Sequence, residues 1–292
     1  MNHRFQRIEA DGGWGFILLS PLEIAIFLQV SDSISYADLY DMAEHGPDVW
    51  VGGSAVYPWG RVYGGQVAAQ GLWAAAQTVR TDVVPHSLHA YFIRGGNPDE
   101  PIRYEVDRIR DGRSFETRRV VARQSNGAIL NLSASFHVPE EAPDVTAIEM
   151  PEVPCPEDGE ADSWMSCFER RSVGDSSAAR AWMRMTDPIG DDPLSAALAH
   201  TFLSDDMATE AVHIEHPLGR SDPDAPEWQY QGASLDHSIW FHRHAPATEW
   251  ILHDYRSSGV NAARGLAFGE LWTSGGIHVA TIAQEVLVRE AR

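Results

Sequence analysis

"HSLHAYFIR" (residues 86–94) and "LDHSIWFHR" (residues 235–243) decide how this chain is read. Laid over one another at an offset of 149 residues, they place Phe241 on Phe92 and Arg243 on Arg94. Both alternate in the manner of a half-buried strand. The later hairpins, "QSNGAILNLSASF" and "TSGGIHVATIAQE", superpose at the same offset of 149, and "SNG" is itself a hairpin signal. Upstream of each copy lies an Ala-rich apolar run, "GGQVAAQGLWAAAQTVR" (64–80) and "DPLSAALAHTFLSDDMATEAV" (192–212). Each reads as one helix; Asp192 is the N-cap candidate of the second and Pro193 its first residue. The Ala content implies close packing on all sides, hence a buried helix.

Four strand-like runs follow each helix. In the first half they are 86–94, 102–112, 114–127 and 128–138; in the second, 233–243, 249–259, 263–276 and 277–290. Two copies of one helix-plus-antiparallel-sheet unit is the economical explanation. The expected class is α+β, with two units packed together and their sheets joined. Between them runs "PEEAPDVTAIEMPEVPCPEDGEADSW" (139–164), with nine acids, five prolines and no Lys or Arg. It reads as an extended linker. The organisation expected is an N-terminal extension (1–30), a first repeat (31–138), an acidic linker (139–163) and a second repeat (164–292).

The chain has 292 residues, 43% of them hydrophobic, and ten Trp, enough for a sizeable core. Its formal net charge of −20 argues against nucleic acid and against anionic membrane surfaces as partners. A small anionic ligand stays open, because a few local Arg residues override the global field. The two cysteines, Cys155 and Cys167, have no metal-ligand spacing, and a reducing, cytoplasmic setting fits them. The apolar run from Trp14 to Val30 is broken by Pro21 and Glu23. It reads as an extension leading into a buried segment rather than a signal peptide or a membrane span.

At this point the residues resemble a known family. "RVYGGQVAAQGLWAAAQTV", "PHSLHAYFIRGGNPDEPIRYEVDRIRDGRSFETRRVVARQSNG", "LDHSIWFHR", "ARG" and "VATIAQE" are similar to the type II (TesB-like) acyl-CoA thioesterases, over roughly residues 59–139 and 192–290. The resemblance implies a double hotdog fold, hydrolysis of acyl-CoA to free fatty acid and CoA, and a catalytic trio of Asp, a hydroxyl residue and Gln. It also implies no cofactor. Carried over motif by motif, the Asp of "DHS" is Asp236 and the Gln of "QE" is Gln284. The hydroxyl before "ARG" is Ser258, with Ser257 the alternative register.

A thioester is already electrophilic, so the chemistry asks for a held, deprotonated water and donors for the oxyanion. Asp236 would take the proton, while Ser258 and Gln284 fix the water. The N–H groups of Gly64, Gly65 and Gln66, at the start of the first helix, are oxyanion candidates. Arg264 is a candidate for the CoA phosphates. Each has a bland counterpart: a turn-capping acid, a turn serine, a solvent-facing glutamine, a glycine pair that only lets the chain turn, an arginine in a cross-strand ion pair. Arg118 and Arg119, if strand-borne, face opposite ways. His237 reads as a structural hydrogen-bonder, and "HSLH" and "HRH" as no metal site. In the repeat alignment Ser87 lies on Asp236 and Ser135 on Gln284, so one copy would carry the chemistry and the other supply walls. The expected partners are acyl-CoA and further copies of the chain, as a homo-oligomer. The reading from another class is a catalytically silent acyl-CoA binder. Hydration of an enoyl chain would need Asp236 and His237 on one face, which adjacent strand residues do not share.

Overall fold

Alternation along "HSLHAYFIR" and "LDHSIWFHR" makes each a strand with one apolar edge, and the two strands find each other. In the computed structural model, which describes residues 4–10, 13–19, 35–175, 177–216 and 230–290, β5 (Val84–Phe92) pairs antiparallel with β13 (Asp236–Phe241). Leu88 lies across from Ile239, and both are fully buried. This joint fuses the sheets of the two repeats into one of fourteen strands among the described residues.

On one side of the joint stand β8 (Gly127–His137), β7 (Phe115–Gln124), β6 (Ile102–Asp111), β4 (Val49–Gly52) and β3 (Ala43–Glu44). On the other stand β16 (His278–Glu290), β15 (Arg264–Thr273), β14 (Ile251–Asn261), β11 (Ala179–Met185), β10 (Phe168–Ser172) and β9 (Glu160–Ala161). A short β12 (Tyr230–Ser234) also pairs with β16. The order is mirrored about the joint, as duplication requires. The strands ahead of each helix, β4 on one side and β10–β11 on the other, have no counterpart in the expectation drawn from the sequence. Residues 20–34, most of the apolar part of the expected N-terminal extension, lie outside the described residues. A separate hairpin, β1 (Arg4–Ala10) and β2 (Gly13–Leu19), precedes them. Residues 217–229 of the polar loop in the second half also lie outside.

Each half curls around a helix, α1 (Gly64–Ala76) in the first and α2 (Pro193–Ser204) in the second. This is the double hotdog arrangement. Ala68, Ala69, Ala74 and Ala75 of α1 are fully buried, and small side chains let the helix lie close to its sheet and to α2. Asp192 caps α2, its side chain accepting from the N–H groups of Leu194 and Ser195. The second helical run is not continuous. It stops at Ser204, and α3 (Ala208–Glu215) begins after a break at Asp205–Met207.

The acidic linker is extended but does not hang free. Met150 and Val153 pack on Trp182, Leu252 and Trp272, and Trp182 Nε1 donates to the Pro154 carbonyl at 2.9 Å. The arginines of the first half behave as alternation demands. Arg118 is buried and bound to Glu116, Asp111 and Thr78, whereas Arg119 is exposed and pairs with Asp107. Neither is free for a phosphate. No described helix is long and apolar enough to cross a membrane.

Because Ile239 sits at the seam where the sheets of the two repeats join, truncation there weakens both halves. Ile239→Ala is expected to lower the unfolding free energy by about 2–5 kcal/mol, read from urea denaturation. A loss below about 1 kcal/mol would show that the joint contributes little.

Candidate active site

The strand β13 sets the geometry. Its odd residues His237 and Ile239 are buried against the helices, and its even residues Asp236, Ser238 and Trp240 share the outer face with Tyr91 and His89. On the neighbouring β16, Gln284 is 0% exposed and touches His237, so it faces inward. Asp236 therefore leaves the sheet on the side opposite Gln284. Its Oδ1 accepts instead from the backbone N–H of Glu285 at 2.6 Å. Ser258 is exposed, in the bulge of β14 between Ser257 and Val260. Ser257 accepts from the Gly259 N–H at 3.0 Å and lies two strands from Gln284, roughly 10 Å at ordinary strand spacing. The expected trio Asp236–Ser258–Gln284 is thus not brought together. Strand parity puts Asp236 on the outer face, the bulge leaves Ser258 exposed, and of the three Gln284 alone faces inward.

What Gln284 meets is a different carboxylate and a different hydroxyl. Its Nε2 donates to Asp205 Oδ1 at 2.7 Å and to Ser234 Oγ at 2.8 Å. Ser234 Oγ donates to the same Asp205 oxygen at 2.9 Å. Asp205 Oδ2 accepts from the Gly65 N–H at 2.9 Å. An Asp, a hydroxyl residue and a Gln from three separate elements converge on one point, at the first turn of α1.

Asp205 reaches that point because α2 ends where it does. The hydroxyl of Tyr63 donates to the Phe202 carbonyl at 2.8 Å and that of Tyr255 to the Ser204 carbonyl at 2.6 Å. These satisfy terminal carbonyls that a continuing helix would have used. Asp206, next along the break, is held by Arg170 at 3.0 Å and by Trp164 Nε1 at 2.7 Å. Arg170 also binds Glu210 at 2.6 Å, which ties the start of α3 to the same cation. Asp206 is therefore ion-paired, while among the described residues Asp205 faces hydrogen-bond donors and no cation.

The glycine pair has a steric task. A Cβ on Gly65 would collide with the Phe202 carbonyl oxygen, and one on Gly64 would lie 2.6 Å from Asp205 Oδ2. Glycine lets the N-terminus of α1, the end that favours an anion, approach the carboxylate. The Gly65 N–H, an oxyanion candidate by sequence, is spent on Asp205. The Gln66 side chain is a buried hub bound to Tyr57, Gln70 and the Gly53 carbonyl. Arg264 is exposed on the outer face and paired with Glu285 at 2.9 Å, away from this cluster.

Burial pushes the Asp205 carboxyl up to about 6, and the charge of Asp206 adds to the rise. Hydrogen bonds from Ser234, Gln284 and Gly65 pull in the other direction. Burial drives His237 down to about 4, so its ring is neutral at pH 7. Among the described residues no group of three His, Cys, Asp or Glu is arranged to hold a metal ion.

Ser234 lies two residues before Asp236, inside "ASLDHS", and Asp205 lies in "FLSDDM". The one signal for Asp205 was a pair of acids closing an apolar helix, where the dipole disfavours them. The repeat comparison also needs a correction. His237 matches Leu88, but Gln284 pairs as Ala134 does, not as Ser135. The turn between β15 and β16 is longer than that between β7 and β8, and the register slips by one. The first copy is apolar where the second carries the imidazole and the amide.

Comparison with known proteins places the same residues in context. The family model described as acyl-CoA thioesterase N-terminal domain matches residues 55–137, and that described as acyl-CoA thioesterase C-terminal domain matches residues 139–288. The mouse protein named acyl-coenzyme A thioesterase 8 is 32% identical over 267 residues, covering 78% of this chain and 80% of its own. The crystal structure of an acyl-CoA thioesterase II, TesB2, from Mycobacterium marinum superposes with a TM-score of 0.76 at 32% identity, covering 87% of this chain and 97% of that one. A hot dog fold protein from Alicyclobacillus acidocaldarius, at 21% identity, gives 0.74 over 89% of this chain and all of its own; that likeness concerns the fold.

A carboxyl held near 6 when folded and near 3.8 when unfolded binds its proton more tightly in the native state. Stability contributed by the neutral form is then present at low pH and lost as pH rises through the folded value. The stability of the native chain relative to Asp205→Asn is expected to fall by about 2 kcal/mol between pH 4 and pH 6. A pH-independent difference between the two would mean that Asp205 titrates as an ordinary carboxylate.

Proposed function

This chain belongs to the type II acyl-CoA thioesterase family and is an acyl-CoA thioesterase; on that premise we propose that Asp205, Ser234 and Gln284 activate the hydrolytic water. The single observation that supports this reading is the convergence of a buried carboxylate, a hydroxyl and an amide from three elements within hydrogen-bond reach of each other. Asp205 takes a proton from water as the water oxygen bonds to the thioester carbonyl carbon. Ser234, which can both donate and accept, and the Gln284 amide orient that water. Collapse of the tetrahedral intermediate breaks the carbon–sulfur bond, and the proton held on Asp205 passes to the departing sulfur. The products are a carboxylic acid and the CoA thiol, with no covalent enzyme intermediate.

A base raised to about 6 is ionised at pH 7 yet close enough to it to release its proton again. The oxyanion falls to the first turn of α1, whose N–H groups have no intrahelical acceptor. With Gly65 engaged by Asp205, Gly64 and Gln66 are the candidates there. Asp236, Ser258 and Arg264 are left out of this machinery, since they lie on the outer face or in an exposed bulge.

On the same reading, residues 31–138 and 164–292 are the two repeats and residues 139–163 a strap between them. The thiols of Cys155 and Cys167 are both free, in keeping with a reducing compartment such as the cytoplasm. Tyr91, Trp240 and Phe268 form exposed apolar surface on the outer face of the sheet, in keeping with a homo-oligomer.

Thiol release from acyl-CoAs of several chain lengths tests the assignment. Asp205→Asn is expected to lower kcat by about 10²–10⁴-fold, while Asp236→Asn stays within about fivefold of the native chain. In the native enzyme kcat/KM should fall as pH drops below about 6, where Asp205 takes up its proton. The opposite ranking of the two variants would return the base to Asp236. No release from any acyl-CoA would favour a binding module.

A further inference from the structure

We propose that His237 is a positioning residue of this thioesterase: its Nδ1–H fixes the orientation of the Gln284 amide, so that Nε2 rather than Oε1 is presented to Asp205 and Ser234. The inference rests on the reading of Asp205, Ser234 and Gln284 as the machinery, and it assigns a task to a buried group which that machinery does not itself use.

Proton counting carries the argument. A terminal amide can be turned by 180° with little change in shape, so only its partners decide which way it points. On one side Gln284 meets Asp205 Oδ1 at 2.7 Å, and an ionised carboxylate only accepts, so the atom there must be nitrogen. Oε1 is then left facing His237 Nδ1 at 2.6 Å, which obliges that ring nitrogen to carry a hydrogen. The ring is fully buried and neutral, so Nε2 has no hydrogen and must accept. Ser204 Oγ stands 3.0 Å from it and donates its hydrogen there in preference to the Thr201 carbonyl at 3.2 Å.

The chain of bonds runs Ser204, His237, Gln284, Asp205, and it closes on itself because Ser204 and Asp205 are consecutive. The break after α2 thus sets both the hydroxyl that chooses the tautomer and the carboxylate that benefits from it. The first repeat has Leu88 and Ala134 at the matching positions and needs no such device.

Loss of the Nδ1 donor leaves Oε1 buried without a partner, so the amide is no longer held in one orientation; turned over, it forfeits its bonds to Asp205 and Ser234. Oε1 then confronts Asp205 Oδ1, and two acceptors at that distance coexist only if Asp205 is protonated. The remaining groups about Asp205 reinforce this. Asp206 lies beside it on its own segment, Tyr63 precedes α1, and Tyr255 comes from β14; none supplies a positive charge. Among the described residues the charged group that acts on the His237 ring is Asp236, on the same strand and the opposite face.

Two substitutions separate orientation from packing. In His237→Asn the side-chain nitrogen falls near the place of Nδ1, and in His237→Gln near that of Nε2. The pH profile of kcat/KM is measured for both and for the native chain, with thermal midpoints as a check on folding. His237→Asn is expected to keep the native acid limb. His237→Gln should move that limb up by about one pH unit and lower kcat at least about tenfold with KM nearly unchanged. Equal acid limbs in the two variants would overturn the proposal. So would the ring tautomer in the native enzyme, read from ¹⁵N chemical shifts without any substitution, if it proved to be Nε2–H. Full activity in Asp205→Asn would instead bring down the underlying trio, so the two failures are told apart.

Discussion

A backbone N–H of the first repeat meets a carboxylate of the second: Gly65 donates to Asp205 at 2.9 Å, and the site is organised around that contact. It needs two helix ends to come together, the N-terminus of α1 and the C-terminus of α2. Only glycine at residues 64 and 65 leaves room for it, and only an interrupted helix delivers a carboxylate to it. The favourable dipole end of α1 then faces the anion that the terminus of α2 would by itself repel. Neither repeat holds both parts, which is why the sheets must be fused at β5 and β13 before the site exists.

Duplication followed by divergence explains the asymmetry. Both copies keep the strand order, the buried helix and the hairpins. The first copy fills the facing positions with Leu88 and Ala134, and the second with His237 and Gln284. Apolar residues there support the joint, whereas the polar pair turns the same place into a network. Burying such a network is costly unless each donor and acceptor is used. The bonds from Ser204 through His237 and Gln284 to Asp205 and Ser234 meet that condition.

Two consecutive acids divide the work at the helix break. Asp206 is bound by Arg170 and Trp164 and holds the backbone. Asp205, with the same chemistry one residue earlier, has no cation and is driven toward neutral pH by burial. Local sequence cannot separate such neighbours; their surroundings do. The strongly acidic chain commits its arginines likewise, with Arg118, Arg119, Arg123 and Arg264 all engaged by carboxylates.

Much was legible in the sequence because periodicity is a local property. Period-two alternation marked the strands, Ala-rich runs marked the helices, and self-similarity at 149 residues marked the duplication. Asp192 as a cap and the opposite faces of Arg118 and Arg119 follow from the same local rules. Gln284 was within reach since one motif carried it. The trio carried over from the resemblance has the same chemical types as the proposed cluster, with the carboxylate and the hydroxyl at other positions. The outward facing of Asp236 was within reach of alternation alone, since Ile239 must face inward and an acid three residues earlier then faces out. Asp205 and Ser234 could not have been chosen that way. Their meeting depends on where α2 breaks, on tyrosines supplied by distant segments, and on a one-residue slip between β15 and β16. Those are matters of long-range packing, and packing is settled only when both repeats are folded against each other.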